Sequence, residues 1–177
     1  RCAILSAVSL RMKLPRVLGH EVSGIVDQVG DGVTNVALGD HVSLESHIFC
    51  GTCRPCRLGN AHLCTNTTYP GIDIDGAFAD YITVPSLIAW KNPKDLPHET
   101  GAMLEPFGIG VHACLEGTGV SGLNVLVNGC GPIGLMAIAV ARALGVAKII
   151  ASDLNPLRLK TAEIMGADRA VHAGDEN

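Results

Sequence analysis

Hydrophobic and polar positions follow one pattern up to about Pro97 and a different pattern after it. The first part consists of short apolar or alternating runs that are stopped by glycine, proline or a polar turn. The runs that predict strands are residues 22–29, 38–44 (which opens with a turn), 76–84 and 87–90. Short and evenly punctuated strands favour a small β-barrel or sandwich.

After Pro97 the pattern becomes helical and then alternates between apolar strands and helices. Residues 98–103 and 107–116 have helical composition. The remaining segments are a strand at 124–127, a helix at 132–144, a strand at 148–152, a helix at 156–165 and a strand beginning at 169–172. This β-α-β-α-β order predicts the first part of a parallel, doubly wound sheet. We place the domain boundary so that the domains are residues 1–119 and 120–177.

Composition narrows the classes of function. The chain has 177 residues, of which 47% are apolar and 17% charged, so it is long and apolar enough to bury a core. A net charge of −4 without basic runs argues against nucleic acid and anionic membranes as partners. The most apolar run, residues 134–151, is interrupted by Arg142 and Lys148, so we predict no membrane span. Because the chain starts with Arg1 and stops within a predicted fold, we expect a fragment.

A glycine-rich loop follows the first strand of the second pattern and matches G-x-G-x-x-G. Gly129 permits a tight turn, Gly131 lets a pyrophosphate approach the backbone, and Gly134 lets helix and strand pack closely. A proline suits the first helical turn, and the helix N-terminus offers N–H groups to phosphate. The candidate cofactor-binding residues of this loop are Gly129, Gly131, Pro132, Ile133 and Gly134.

Asp153 ends the next predicted strand, at the position where an acid hydrogen-bonds the ribose hydroxyls of a dinucleotide. A carboxylate there repels the 2′-phosphate of NADP, so the sequence predicts NAD. Arg158, in the following helix, is a further candidate for cofactor contact, or else a surface residue. The alternative is a glycine-rich turn that binds no ligand.

Four of the seven cysteines lie close together with the spacing C-x2-C-x2-C-x7-C. They are Cys50, Cys53, Cys56 and Cys64. Four thiolates about 2.3 Å from one zinc form a closed tetrahedral site, which is typical of structural zinc. An iron–sulfur cluster and two disulfides are the alternatives. The odd cysteine count and the size of the chain favour reduced thiols in a cytoplasmic protein.

Taken together, the motifs resemble the zinc-dependent medium-chain dehydrogenase/reductase family over residues 13–175. The resemblance rests on Gly-His-Glu at 19–21, the four-cysteine segment and the glycine-rich loop. It implies a GroES-like β-barrel catalytic domain followed by the first part of a Rossmann doubly wound parallel sheet. It also implies two zinc ions (one structural and one catalytic), NAD and a homotetramer. Further segments resemble members that act on L-threonine, namely residues 62–67, 76–81, 105–108, 111–113 and 131–136.

By this resemblance, His20 and Glu105 bind the catalytic zinc, and Glu21 either binds the metal or exchanges with water. Mixed nitrogen and oxygen ligands suit a Lewis acid with an open position. His47, just before the cysteine segment, is expected to contact the substrate. The family's remaining ligand is a cysteine in a Cys-Gly-x-Asp context, which the segment around Cys2 does not match, so its role as a ligand stays open.

The expected reaction is NAD-dependent oxidation of a small-molecule alcohol or amino acid, in particular L-threonine to 2-amino-3-oxobutanoate. A sorbitol, polyol or general alcohol dehydrogenase on the same scaffold is the nearest alternative. An alternative of another class is a non-catalytic protein that binds zinc and nucleotide, because the N-terminal ligand segment is altered. A zinc-ribbon module for nucleic acid is disfavoured because only Arg54 and Arg57 are basic within the cysteine segment.

Overall fold

The computed structural model describes residues 12–174, which form two compact units that divide between Glu105 and Pro106. Cys2 lies outside the described residues, so its predicted role is not addressed by the structure. The boundary predicted after residue 119 falls inside the second unit and stays a prediction. One helix, Leu104–Leu115, runs through the division between the compact units.

A three-stranded antiparallel sheet forms the centre of the first unit. Its strands are β1 (Ser23–Ile25), β2 (His41–Leu44) and β3 (Ala89–Lys91), with β2 in the middle. Ser43 of β2 lies opposite Ser23 on one side and Trp90 on the other. All four residues of β2 are buried, because it has a partner strand on each side and further chain packed over it. The predicted strand at 38–44 is therefore confirmed, with its turn ahead of His41.

Short helical elements connect and follow these strands. They are α1 (Arg54–Arg57), 3-10 turns at Ala61–Leu63 and Ser86–Ile88, α2 (His98–Ala102) and α3 (Leu104–Leu115). The first helix and the first 3-10 turn belong to the cysteine segment. The last two confirm the helical composition seen after Pro97.

Three strand predictions in this unit are wrong in extent or type. The strand predicted at 22–29 is shorter, and the one predicted at 87–90 begins with a 3-10 turn and continues as β3. The segment 76–84 is not a strand in the described part of the chain. Its first three N–H groups bond the carbonyls of residues 17–19, but no ladder continues from there. The alternating apolar pattern of this segment reflects side chains that are buried without a paired neighbouring strand, since Ile82 and Val84 pack on the core.

The core of the first unit is built from aliphatic side chains of the sheet and its connections. Val36, Val42, Leu44 and Ile88 are buried, and Ile88 is only 1% exposed. Partly buried valines and isoleucines pack around them. A core without large aromatics is consistent with the 3% aromatic content of the chain.

The second unit is a parallel sheet with helical crossovers, as predicted. Its elements are β4 (Asn124–Asn128), α4 (Pro132–Ala143), β5 (Lys148–Asp153), α5 (Pro156–Ile164) and β6 (Arg169–His172). The strands lie in the order β4-β5-β6, and both pairs are parallel. Each helix is followed by a glycine that bonds back to the last helical turn, which closes the helix before the next strand.

Alanine and isoleucine dominate the core of this second unit. Ile138, Ala141, Ile149, Ala151 and Ala162 have no exposed surface. Because two of these alanines lie on α4 and α5, the helices can approach the sheet closely. The helices themselves are short, and in residues 12–174 none is long and apolar enough to cross a membrane.

We predict that Ile138→Ala lowers the free energy of unfolding of the second unit by about 2–5 kcal/mol, because it leaves a cavity in a closed core. Ile164→Ala is the matched control, since Ile164 is 77% exposed at the end of α5. It is expected to change stability by less than about 0.5 kcal/mol. Urea unfolding followed by circular dichroism measures both variants. Equal losses in the two would contradict the assigned core.

Candidate metal and dinucleotide sites

The four clustered cysteines meet around one point in the first unit. All four sulfur atoms lie within 4.8 Å of one another, and all four thiols are free. The Sγ atoms of Cys53 and Cys56 are 3.3 Å apart, and those of Cys53 and Cys64 are 3.8 Å apart. Sulfurs in a tetrahedral zinc site are separated by about 3.8 Å, whereas a disulfide needs about 2.0 Å. The arrangement suits one tetrahedral ion rather than two disulfides.

Hydrogen bonds to sulfur prepare this cluster for a cation. The N–H of Cys50 lies 3.3 Å from the sulfur of Cys64, and the N–H of Cys53 lies 3.4 Å from that of Cys50. Hydrogen bonds from Thr52 lower the pKa of the Cys50 thiol to about 5. Burial, with Cys53 beside it, raises the pKa of Cys56 to about 12. Neighbouring sulfurs therefore resist full ionisation until a cation balances their charge.

A second group of possible metal ligands consists of His20, Glu21 and Glu105. One ligand atom from each lies within 4.8 Å of the others. His20 and Glu21 precede β1, whereas Glu105 lies in the first turn of α3. The structure therefore brings together three residues that are distant in sequence. One nitrogen and two carboxylates can hold zinc and leave a coordination position for another ligand.

The backbone ahead of His20 is held by unusually close contacts between glycines. Gly19 has a φ of +98°, which disfavours any residue with a side chain. A Cβ at Gly19 would lie 2.6 Å from the ring of Phe78, and a Cβ at Gly76 would lie 2.2 Å from the carbonyl oxygen of Gly19. Gly71 approaches the same residue closely. Sequence reasoning did not single out Gly71, because an isolated glycine forms no motif, and it used Gly76 only as the start of the segment 76–81 that resembles the family.

One of the side chains that follow β2 contacts Glu105. The Ser46 hydroxyl donates to Oε1 of Glu105 over 2.5 Å, and Ser46 is only 2% exposed. His47 pairs through Nδ1 with the carboxylate of Glu45, and its ring contacts Tyr69 edge-on with the centroids 4.9 Å apart. His47 thus follows directly a residue that contacts the candidate metal site. Sequence reasoning missed Ser46, since a single serine carries no pattern.

The glycine-rich loop of the second unit has two differently constrained glycines. Gly129 has a φ of +96°, and its N–H donates to the carbonyl of Ser152 over 2.7 Å. A Cβ at Gly134 would lie 2.0 Å from the carbonyl oxygen of Gly129, so helix α4 requires glycine there. A Cβ at Gly131, by contrast, would meet nothing within 4 Å. Close packing explains why residue 134 is a glycine, but it does not explain the glycine at residue 131.

Asp153 fastens this loop from the end of β5. Its Oδ2 accepts the N–H of Cys130 over 2.7 Å, and its Oδ1 accepts the N–H of Asn155 over 2.8 Å. These bonds, with that from Asn155 the largest contribution, lower the pKa of Asp153, so its carboxylate is ionised. Nη1 of Arg158 lies 3.8 Å from Oδ2 of Asp153 and adds a favourable charge.

An open cleft of about 820 Å³ adjoins Asp153. Of the predicted cofactor residues, Gly129, Asp153 and Arg158 line it. Gly131, Pro132, Ile133 and Gly134 do not line it and form the start of α4 instead. The remaining lining residues come from the ends of β4 and β5, from the start of α5 and from the position after β6, at the edge where parallel sheets bind ligands.

A sulfur cluster and a mixed-ligand cluster in one unit, with a parallel sheet and its glycine-rich loop in the other, define a zinc-dependent dehydrogenase. Residues 3–94 match the family model described as the alcohol dehydrogenase GroES-like domain. Residues 132–177 match the model described as zinc-binding dehydrogenase. The chain therefore belongs to the zinc-dependent alcohol dehydrogenase family. The predicted fold class, a GroES-like domain followed by the first part of a Rossmann sheet, is confirmed.

The similar proteins include dehydrogenases named for different substrates. L-threonine 3-dehydrogenase of Bacillus velezensis is 47% identical over 167 residues, covering 94% of this chain and 48% of the relative. The crystal structure of galactitol-1-phosphate dehydrogenase from Escherichia coli has a TM-score of 0.88 at 36% identity, covering 93% of this chain and 48% of that one. An Escherichia coli alcohol dehydrogenase solved with NADH has a TM-score of 0.85 at 36% identity, covering 91% and 48%. The chain spans about half the length of these relatives.

The two loop glycines predict opposite outcomes when each is replaced by alanine. Gly134→Ala is expected to destabilise the second unit by about 1–3 kcal/mol, because its Cβ would overlap the Gly129 carbonyl. Gly131→Ala should leave stability unchanged, yet weaken NADH binding at least about tenfold by keeping phosphate from the backbone. Urea unfolding and calorimetric titration of the full-length protein with NADH separate the two. Unchanged NADH affinity in Gly131→Ala would exclude phosphate binding at this loop.

We also predict that Cys56→Ser removes one zinc ion per chain and destabilises the first unit, because three thiolates remain for a four-coordinate site. Cys114→Ser is the control, since Cys114 lies in the core of the second unit and is not one of the four clustered cysteines. Metal content measured by plasma mass spectrometry gives the answer. The expected result is one zinc fewer in the first variant and the parental content in the control. Parental zinc in Cys56→Ser would show that the four sulfurs do not hold the ion.

Proposed function

We propose that the full-length protein is an NAD-dependent zinc dehydrogenase that oxidises a secondary alcohol, most specifically L-threonine to 2-amino-3-oxobutanoate. The observation that carries this proposal is the convergence of His20, Glu21 and Glu105 on one point, in a chain of this family. Because the chain spans about half of its relatives, the activity belongs to the whole protein.

The sulfur cluster has a structural role in this proposal. Cys50, Cys53, Cys56 and Cys64 would fill all four positions of a zinc ion, so that no position is left for a substrate. The ion would crosslink α1 to the chain on both sides of it. Its contribution is to hold the lobe between β2 and β3, not to take part in the reaction.

The mixed cluster has the catalytic role. Zinc supplies a Lewis acid that lowers the pKa of an alcohol, and NAD supplies the hydride acceptor. His20 and Glu105 hold the metal, and Glu21 binds it or gives way to water. His47, whose Nδ1 is engaged by Glu45, would contact the substrate through the rest of its ring. Together these residues fix the position of the reacting hydroxyl group.

The second unit binds the dinucleotide in this proposal. The N–H groups at the start of α4 would receive the pyrophosphate, next to Gly129, Gly131, Pro132, Ile133 and Gly134. The ionised Asp153 would accept hydrogen bonds from the ribose hydroxyls and repel a 2′-phosphate, which favours NAD. Arg158, which lines the same cleft beside Asp153, would contact the adenosine part.

Two other functions remain in competition with threonine oxidation. A polyol or sugar-alcohol dehydrogenase is supported by the structural similarity to galactitol-1-phosphate dehydrogenase. The higher sequence identity to L-threonine 3-dehydrogenase favours threonine. The second competitor is a protein that binds zinc and nucleotide without catalysis. On the family resemblance we further propose that the full-length protein is cytoplasmic and forms a homotetramer. Light scattering of the full-length protein can measure the tetramer.

The decisive experiment measures NADH formation by the full-length protein with L-threonine, sorbitol, galactitol 1-phosphate and a simple secondary alcohol. We expect the highest kcat/KM with L-threonine, two zinc ions per chain and a preference for NAD over NADP. Glu105→Gln should retain the structural zinc and lose most of the activity, because it weakens the catalytic metal site.

The competing functions predict different results in the same assay. Turnover of sorbitol or galactitol 1-phosphate without turnover of L-threonine would replace the substrate assignment and keep the dehydrogenase. One zinc ion per chain, NADH binding and no turnover of any alcohol would support the non-catalytic alternative. His62→Ala is a useful control, because His62 lies in the cysteine segment but outside both groups of candidate ligands.

A further inference from the structure

We propose that Ser46 is a positioning residue of the catalytic metal site, which orients the Glu105 carboxylate for the metal before the metal binds. The inference rests on the proposed function, because it takes Glu105 as a metal ligand. It extends that function by assigning a role to a residue that no motif contains. The role is carried by one hydrogen bond between β2's continuation and the first turn of α3.

The contact between the two side chains is short and buried. The Ser46 hydroxyl lies 2.5 Å from Oε1 of Glu105, and the serine is 2% exposed. Water therefore has little access to replace the hydroxyl. A hydroxyl that donates to a carboxylate forms a charge-assisted bond, which is shorter and stronger than a neutral one. The bond holds one oxygen of Glu105 in a defined place.

A second acceptor near Ser46 is already engaged. Nδ1 of His47 lies 3.4 Å from the hydroxyl, well beyond the distance to Glu105. That nitrogen pairs with Oε1 of Glu45, which also accepts the backbone N–H of His47 over 3.1 Å. Because Nδ1 donates its hydrogen to Glu45, it offers no lone pair to Ser46. The single hydroxyl hydrogen is therefore directed to Glu105.

The bond to Ser46 leaves Glu105 with enough acceptor capacity for a metal. An ionised carboxylate has about four lone-pair sites, and one hydroxyl uses only one of them. The Glu105 ligand atom already lies within 4.8 Å of those of His20 and Glu21. The hydrogen bond from Ser46 reduces the rearrangement of the Glu105 side chain that metal binding would require. Removing such a partner lowers metal affinity by about 10- to 100-fold in comparable sites.

The chain supplies a matched control three residues before Ser46, on β2. Ser43 is also buried, at 4% exposure, and its hydroxyl donates to the carbonyl of Gly101 over 2.7 Å. Ser43→Ala therefore removes a buried hydroxyl and its hydrogen bond without touching Glu105. Any loss of metal affinity through general destabilisation would be the same in Ser43→Ala and Ser46→Ala.

Zinc affinity of the full-length protein tests the proposal, measured by competition with a chromophoric chelator. The four-cysteine site is the internal reference and should keep its affinity in every variant. For the second site, Ser46→Ala is expected to lose about 10- to 100-fold. Ser43→Ala should stay within about threefold of the parent, and Ser46→Thr, which keeps the hydroxyl, should do the same. The visible spectrum of cobalt at the second site should shift in Ser46→Ala alone.

Each contrary result has a definite meaning. Parental affinity in Ser46→Ala would overturn the positioning role. An equal loss in Ser43→Ala would reduce it to general destabilisation, and a loss in Ser46→Thr as large as in Ser46→Ala would show that the hydroxyl is not responsible. Glu105→Gln distinguishes a failure of the positioning role from a failure of the proposed metal site. Unchanged affinity in Glu105→Gln would refute the metal site itself, whereas a loss there without one in Ser46→Ala would refute only the positioning.

Discussion

The close approach of residues 70–78 to Gly19 is the contact on which the candidate catalytic site depends. Gly19, Gly71 and Gly76 lie so near one another that a Cβ on any of them would overlap main chain or a ring. Backbone hydrogen bonds from the N–H groups of residues 76–78 to the carbonyls of residues 17–19 hold the approach in place. The next residue along is His20, so its backbone position is set by packing and not by the metal. A metal site built this way is organised before the ion arrives.

A buried polar network around β2 joins this strand to neighbouring segments of the chain. His41 is 7% exposed and contacts Ser23 over 2.6 Å, while Asn92 donates to Ser43 over 2.8 Å. The hydroxyl of Ser43 in turn reaches the carbonyl of Gly101. Because Gly101 belongs to α2 (His98–Ala102), the network ties β2 to that helix. Buried polar groups that are all satisfied in this way specify one arrangement of the chain.

Local patterns predicted the second unit well and the first unit less well. Every strand and helix of the parallel sheet was anticipated, because βα units are decided by periodicity and by nearby glycines. The segment 76–84 failed, since alternation reports which side chains are buried and not whether a partner strand lies alongside. The family was recognisable for a different reason: the four cysteines and the glycine-rich loop are each compact in sequence.

The residues that sequence could not reveal are those that act across long separations. Ser46 and Glu105 lie 59 residues apart and meet only in the folded chain; Glu105 was expected from the family resemblance, whereas Ser46 was not. His41 lies on β2, is buried, and its ring contacts that of His98 edge-on. Its burial follows from two flanking strands, which a single run of residues does not encode. Tertiary placement, not residue type, assigns these side chains their roles.

The two candidate metal sites differ in what holds them together without an ion. The four sulfurs lie within 4.8 Å of one another, and four thiolates at that distance repel one another unless a cation balances their charge. The mixed site has hydrogen bonds and glycine contacts that hold its ligands whether or not a metal is bound. The sulfur cluster should therefore need its ion to keep its shape, whereas the mixed site can exchange ligands without collapsing. That difference suits the first to a structural role and the second to chemistry.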